Sequence, residues 1–286
     1  MPAHAAPPTA LTRPGAAVGE SPIWLTEESS LAWIDMPVGR IHVSSTPSGE
    51  TSTVDLGRYL SAIAPRMEGG WIATTLHGFA WIGRGGDVAR ELEMLDDRHR
   101  MNDACCDPRG RLIAGSTHVE SVDGAGSLHL LDGDGTVTTI WDGLTLPNGM
   151  AWSANGKTLY LADSLRSQIV AFEMDDRGLP QRADTIAEFA PGDGLPDGLC
   201  LDEEGCLWVA MWDGGAVVRL DPDGDVMRRV ALPVFRPTSC AFGGRDGDVL
   251  FVTTATAERW THPLDGAVLA IDDTGVRGDA RPPFRG

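Results

Sequence analysis

Short apolar segments bounded by glycine-rich or charged turns recur along the whole chain. The clearest six are SSLAWID from Ser29, GGWIATT from Gly69, GRLIAGS from Gly110, KTLYLADS from Lys157, GCLWVAM from Gly205 and GDVLFVTT from Gly247. Their alternating, β-branched and aromatic residues predict strands, and helical periodicity is nowhere sustained. The spacings between equivalent apolar positions are 40, 41, 47, 48 and 43 residues. This period indicates six copies of one structural unit.

Each copy contains more than one strand. A second apolar segment follows every marker, as in GRIHVSS and GSLHLLD, and another precedes it, as in NGMAWS and DGLCLD. Several copies add a fourth strand, such as VTTIWDG. Four antiparallel strands per repeat are typical of a propeller blade, so we predict an all-β, six-bladed propeller. Residues 1–10 are expected to form a flexible tail and residues 11–286 a single domain, with the ring closed by a strand from around residues 10–18.

Aligning the six copies places one polar residue at the head of each inner strand. These residues are Glu20, Ser61, Asn102, Asn148, Asp197 and Thr238. The innermost strands of a propeller surround one axis, so equivalent positions are expected to converge at one mouth of the central channel. Two carboxylates and two carboxamides on one ring suit a divalent cation, which predicts a metal-containing channel. The alternative is that each residue only shapes a turn, as Asn-Gly and Asp-Gly pairs commonly do.

The second strands end at the same mouth of the channel, so the residues at their ends are predicted to form the wall of a pocket. Their ends carry Asp35, Thr75–His77, Ser116–Glu120, Asp163–Ser164, Met211–Asp213 and Thr253–Thr254, and Arg100 precedes Asn102 by two residues. An arginine, a glutamate, histidines and hydroxyls around a cation favour a polyhydroxylated or anionic small ligand. The sequence contains no GxSxG, HExxH, phosphate-binding or dinucleotide-binding motif. Lys157 is the only lysine and lies in a turn segment, so a Schiff-base mechanism has no candidate.

Charge and cysteine usage exclude several other classes. The formal net charge of −18 disfavours nucleic acid and anionic membranes as partners. No apolar run approaches the roughly 20 residues of a membrane span, and the first residues lack the pattern of a signal peptide. The five cysteines are odd in number and form no CxxC pair. We therefore expect a reduced, cytoplasmic protein whose thiols, including Cys105 and Cys106, are packed in the core.

Several of these segments together resemble the gluconolactonase/senescence-marker-protein (regucalcin) family. The resemblance runs from about Gly19 to Gly278 and rests on GESPIW, RMNDACCDPRGRLIAGS, LPNGMAWSANGKTLYLADS, LPDGLCLDEEGCLWVA and GVRG. It implies a six-bladed propeller with one divalent metal at the top of the channel. The ligands carried over by motif are Glu20, Asn148 and Asp197. The resemblance also places Arg100, Asn102 and Glu120 against the substrate, and it implies Ca²⁺ as the ion, with Zn²⁺, Mn²⁺, Mg²⁺ or Fe²⁺ as alternatives.

The resemblance further implies a metal-dependent hydrolase that opens a lactone ring, with a sugar lactone as substrate and an aldonic acid as product. Our hypothesis is that the cation polarises the carbonyl while Asp197 acts as general base, a metal-bound hydroxide being the alternative nucleophile. An esterase or phosphotriesterase on the same site is a second possibility, which Met101, Trp212 and Phe235 keep open. A non-catalytic, cation-binding propeller is a third. We expect a monomer or a small homo-oligomer.

Overall fold

A computed structural model describes residues 7–256, 262–278 and 282–286 of the chain. The strands form six four-stranded antiparallel sheets arranged as the blades of a propeller, which confirms the predicted architecture. Among the described residues the only helix is one short 3₁₀ turn, Ser164–Arg166. No helix in this part of the chain is long and apolar enough to span a membrane.

The strands follow the chain blade by blade, and β1 (Thr9–Ala10) precedes the first blade. Blades 1 and 2 contain β2 (Gly19–Leu25), β3 (Ser30–Asp35), β4 (Arg40–Ser45), β5 (Thr51–Asp55), β6 (Ala62–Pro65), β7 (Trp71–Thr74), β8 (Gly78–Ile82) and β9 (Val88–Glu93). Blades 3 and 4 contain β10 (His99–Cys106), β11 (Leu112–His118), β12 (Gly126–Leu131), β13 (Val137–Leu144), β14 (Pro147–Trp152), β15 (Thr158–Asp163), β16 (Gln168–Met174) and β17 (Pro180–Glu188). Blades 5 and 6 contain β18 (Leu195–Leu201), β19 (Leu207–Trp212), β20 (Ala216–Leu220), β21 (Val226–Ala231), β22 (Pro237–Gly243), β23 (Val249–Thr254) and β24 (Leu269–Ile271).

Burial within a blade falls from the axis outward. The second strand β3 is buried at all six positions, whereas the fourth strand β5 is mostly exposed. Neighbouring blades stack face to face, so a second strand is covered on both sides and contains continuous apolar runs. One core cluster, for example, joins Phe79 of blade 2 to Met101 and Leu112 of blade 3. The core is therefore a ring of such inter-blade layers.

The chain closes the ring near its N-terminus. Strand β1 pairs with β24 through Thr9–Ala270 and Ala10–Leu269, so it becomes the outer strand of blade 6. Thr9 and Ala10 both belong to the segment predicted to be a flexible tail. Ala10 is also the first residue of the region, residues 10–18, that was predicted to supply the closing strand. The segment beyond it stays attached, because Val268 N–H donates to Thr12 Oγ1 at 2.9 Å and Val18 bridges Ala255. The N-terminal strand thereby completes the last blade, which ties the two ends of the ring together.

Candidate functional site

The inner strands of five blades share an interruption at the mouth of the channel. The pairing of each with its second strand breaks register at Glu20/Ile23, Met101/Ala104, Pro147/Met150, Pro196/Leu199 and Pro237/Ser239. Such bulges redirect side chains and often occur beside active sites. Asn148 and Asp197 lie inside β14 and β18 rather than at hairpin turns. Both residues are therefore part of the inner strands, at the register breaks, and are not the corner residues of a hairpin.

The glycines that follow Asn148 and Asp197 allow the inner strands to approach closely. A Cβ atom on Gly149 would lie 2.5 Å from the carbonyl oxygen of Asp197. A Cβ atom on Gly198 would lie 2.5 Å from the Cα atom of Ser239. Both distances are far below van der Waals contact, so any larger residue would push the blades apart. Close packing of this kind holds the side chains of the site in fixed positions.

The site residues line a cavity of about 290 Å³ at this mouth. It brings together the polar residues Glu20, Ser61, Arg100, Asn102, Asp103, Asn148, Ser164 and Asp197. Five of the six residues predicted to bind metal or substrate are among them. The sixth, Glu120, is exposed in the loop after β11 and does not line the cavity. Its backbone N–H donates to His118 Nδ1 at 3.2 Å.

Most residues of the predicted pocket wall do not line the cavity. Only Ser164 and Trp212 of those segments are lining residues. Asp35 is buried and its Oδ1 accepts the N–H of Val18 at 3.2 Å, and Asp163 Oδ1 accepts the N–H of Leu146 at 2.8 Å. Val18 and Leu146 do line the cavity. The two aspartates thus anchor the segments that bring the lining residues into place.

Two buried carboxylates dominate the electrostatics of the cavity. Burial raises the pKa of Glu20 well above its ordinary value, and the charges of Asp197 and Asp103 raise it further. The pKa of Asp197 is also well raised, by burial first and then by Asp103, while a hydrogen bond from Asn148 opposes the shift. No arginine, lysine or histidine of the described residues forms an ion pair with either group. A bound cation would supply the missing positive charge.

Asp103 is the cavity residue that sequence reasoning missed. The equivalent position after the head residue carries Ser21, Gly149, Gly198 and Ser239 in other inner strands. Asp103 is thus the one acidic residue in this set, and it lines the cavity. Its Oδ1 accepts the N–H of Ala104 at 2.7 Å. The repeat alignment could have identified Asp103, because it is the one acidic residue at the position that follows the head residues of the inner strands.

Arg100 is held in place by its neighbours. Its Nη1 donates to Asn102 Oδ1 at 2.7 Å, and to Tyr59 Oη and the carbonyl oxygen of Met101 at 3.2 Å each. Asn102 Nδ2 donates onward to the carbonyl oxygen of Pro147 at 3.0 Å. Burial raises the pKa of Tyr59, which keeps its hydroxyl protonated at neutral pH. Tyr59 is thus a second residue that the sequence did not reveal.

The donor groups fit a hard divalent cation. Asn148 Nδ2 donates to Ser164 Oγ at 3.1 Å, and Ser164 Oγ donates to the carbonyl oxygen of Pro196 at 2.6 Å. This chain fixes the orientation of the Asn148 carboxamide and leaves its oxygen available as a ligand. Across the described ranges, no three His, Cys, Asp or Glu side chains form a metal cluster by themselves. A cation here would therefore draw on the Asn148 amide beside the carboxylates of Glu20 and Asp197.

The remaining residues singled out from the sequence take different positions. Met101 is fully buried between blades, and Phe235 is 52% exposed and does not line the cavity. Of the three residues that kept an esterase possible, only Trp212 reaches the site. Cys105 and Cys106 are buried in β10, as predicted, and line a second, mostly apolar cavity away from the site.

Fold and site together define a class: a six-bladed propeller with a carboxylate- and amide-lined pocket at one end of its axis. The family model described as SMP-30/Gluconolactonase/LRE-like region matches residues 18–256. The chain belongs to this family, as the sequence motifs suggested.

Individual relatives agree with this assignment over nearly the whole chain. Regucalcin from Gallus gallus is 34% identical over 285 residues, covering 94% of this chain and 95% of the relative. A 6-deoxy-6-sulfogluconolactonase from Pseudomonas putida is 32% identical over 285 residues, covering 96% and 98%. The crystal structure of a calcium-binding protein, regucalcin, from Agrobacterium tumefaciens superposes with a TM-score of 0.90 at 26% identity, covering 99% and 98%.

Proposed function

We propose that this protein is a metal-dependent lactonase that hydrolyses a sugar lactone to the corresponding aldonic acid. The observation that carries the proposal is the pair of buried carboxylates, Glu20 and Asp197, which line one cavity and form no ion pair with an arginine, lysine or histidine of the described residues. Arg100 and Asn102 in the same cavity offer hydrogen-bonding groups for a polar substrate. The sulfogluconolactonase relative supports the reaction class by its name and its coverage of the chain.

The proposed ion is Ca²⁺, held by Glu20, Asn148 and Asp197, with Zn²⁺, Mn²⁺, Mg²⁺ or Fe²⁺ as alternatives. The name of the calcium-binding relative supports this choice. When bound, the ion supplies Lewis-acid stabilisation of the negative charge that develops on the lactone oxygen. The protein contributes a rigid, largely buried set of ligands whose mutual repulsion is relieved by the ion.

Proton transfer falls to a carboxylate of the cavity. Asp197 is the proposed general base, because its buried carboxylate belongs to the cavity that would hold the substrate. Asp103 is a second candidate, because it lines the same cavity and would not have to act as a metal ligand at the same time. Arg100 and Asn102, already joined by a 2.7 Å hydrogen bond, would orient the substrate.

A pH-indicator assay of aldonolactones with chelator-treated protein tests the proposal. Each divalent cation is added back separately, and hydrolysis is expected only with cation present. Asp197→Asn is expected to lower kcat by at least about 100-fold, the usual contribution of a general base. Asp103→Asn shows which carboxylate takes the proton, and Glu188→Gln, on the outer strand β17, is the matched control. Full activity of Asp197→Asn or Glu20→Gln would reject the site.

An esterase or phosphotriesterase is the second candidate. The indole of Trp212 in the cavity is the observation that favours it. Assaying p-nitrophenyl acetate and a phosphotriester under the same conditions separates the two activities. Cation binding by calorimetry without turnover of any of these substrates would instead indicate a non-catalytic propeller.

A further inference from the structure

The cavity has an apolar side that the proposed chemistry does not use. Six of its lining residues are apolar: Val18, Met36, Leu146, Leu165, Leu195 and Trp212. Four of these, Leu146, Leu165, Leu195 and Trp212, belong to blades 4 and 5 or to the segments that enter them. We call these four residues the apolar wall. Blade 5 stands opposite blade 2 in a six-membered ring, so Leu195 and Trp212 lie across the axis from Ser61. Blades 4 and 5 also carry Asn148, Ser164 and Asp197, so a substrate held against the apolar wall contacts apolar and polar groups together.

Trp212 is a fixed part of that wall. The guanidinium of Arg236 stacks on its ring, 4.9 Å from the centroid, and Arg236 Nε donates to Asp213 at 2.6 Å. Leu165 lies on the 3₁₀ turn at the open edge of the cavity and is 41% exposed. The wall therefore extends from the interior of the cavity to its entrance.

The hydroxyl and amide groups of the cavity already use most of their hydrogen-bond donors within the protein, so the acceptors that remain for substrate hydroxyls are chiefly carboxylate oxygens. Ser61 Oγ donates to Thr74 Oγ1 at 2.8 Å, and Ser164 Oγ is used by Asn148 and Pro196. Asn102 uses its oxygen and one of its two Nδ2 hydrogens, which leaves one N–H for a substrate. Arg100 still has Nε and Nη2, which form no hydrogen bond with the described residues. Donors for a substrate are thus concentrated at Arg100.

A fully hydroxylated lactone would turn some of its hydroxyl groups toward the apolar wall. Each such group loses its water partners and finds no replacement, which penalises binding. A methyl group at the same place would instead be buried favourably. Hydrophobic pockets discriminate against an added hydroxyl by about 10- to 100-fold.

We propose that the preferred substrates are deoxygenated sugar lactones, which present a methyl group or an unsubstituted ring face to Leu165, Leu195 and Trp212. This inference rests on the proposed lactonase function and assigns substrate selection to the wall instead of the metal site. The polar side of the lactone would then face Arg100. The chemical class is a lactone with hydroxyls on one side and a hydrocarbon surface on the other.

The test compares L-rhamnono-1,4-lactone with L-mannono-1,4-lactone, which differ only by a methyl in place of a hydroxymethyl group. The kcat/KM ratio is measured with the cation-loaded protein and corrected for the uncatalysed hydrolysis of each lactone. The wild-type ratio is expected to be at least about 10 in favour of the deoxy lactone. Leu165→Asn is expected to lower this ratio about fivefold or more, because its amide can bind the extra hydroxyl. Val88→Asn, at a position with similar exposure on β9, should leave the ratio unchanged.

The outcomes separate this inference from the function on which it rests. A wild-type ratio of one or less overturns the inference while lactonase activity stands. The same holds if δ-gluconolactone is hydrolysed and neither member of the pair is. If Leu165→Asn and Val88→Asn change the kcat/KM ratio equally, the apolar wall is not the cause of the preference, and the inference is overturned. Failure to hydrolyse any lactone with any cation overturns both the inference and the proposed function.

Discussion

Replacing Glu20 by glutamine should make the metal-free protein more stable. The Glu20 carboxylate is buried, has no cationic partner among the described residues and is repelled by Asp197 and Asp103. A glutamine has nearly the same shape, and its amide oxygen can still accept the N–H of Ser21, which now donates to Glu20 Oε2 at 3.0 Å. The substitution therefore removes the charge with little disturbance of the packing.

The size of the effect follows from burial. Leaving a buried polar group without a partner costs about 1–3 kcal/mol, and more for a charge. A chain of 286 residues unfolds with an entropy of about 0.6 kcal/mol/K, so the melting temperature should rise by about 2–5 °C. The sign depends on pH. Because the pKa of Glu20 is raised in the folded state, its destabilisation is absent below the ordinary pKa of 4.5 and grows as pH rises above it.

Thermal melts of chelator-treated protein at pH 7.5 and pH 4.5, with and without added Ca²⁺, measure this effect. Glu20→Gln should melt above wild type at pH 7.5, the difference should shrink at pH 4.5, and Ca²⁺ should stabilise wild type much more than the variant. Glu188→Gln controls for the loss of an acidic charge on the surface. A metal-free Glu20→Gln protein that melts at or below wild type at pH 7.5 would refute the argument that this carboxylate lacks compensation.

Two further predictions concern packing and pH. Gly198→Ala should destabilise the protein by at least about 2 kcal/mol, because its Cβ would lie 2.5 Å from Ser239 Cα. Gly85→Ala, whose nearest neighbour would lie at 3.8 Å, should cost much less, and equal urea midpoints for the two variants would contradict the inter-blade contact. Burial lowers the pKa of His129 to about 4, so the unfolded chain takes up this proton first and stability falls as pH drops from about 6.5 to 4. His129→Gln should reduce the loss of unfolding free energy between pH 7 and pH 4.5 by about 2 kcal/mol, and an identical pH profile in urea titrations would show that the histidine is not responsible.

Much of the fold could be predicted because its signals are local. Short segments such as GCLWVAM and KTLYLADS show the alternation of a strand next to a turn, and their spacing of forty-odd residues gives the repeat. The closing strand was harder to place, because Thr9–Ala10 has only two paired residues and no pattern of its own. Its position is set by the free edge of β24.

The site was partly predictable for a similar reason. Equivalent positions in a closed ring must converge, so the heads Glu20, Asn148 and Asp197 could be grouped before any distance was known. Asp103 was missed because its direction depends on the register break in β10, and Glu120 was placed at the site although its loop leaves it exposed. Bulges and loop paths arise from pairing between distant segments, which a linear pattern does not encode.

The sequence by itself therefore determined the number of blades, the strand order and the ring of polar heads, since each depends on residues close together in the chain. Only the tertiary structure decided which neighbours of those heads line the cavity, and that Asp35 and Asp163 anchor the lining residues Val18 and Leu146. It also decided that Trp212, Leu195 and Leu165 form one apolar side of the cavity. The physical reason is that side-chain direction and burial are set by how separate blades twist and pack against one another.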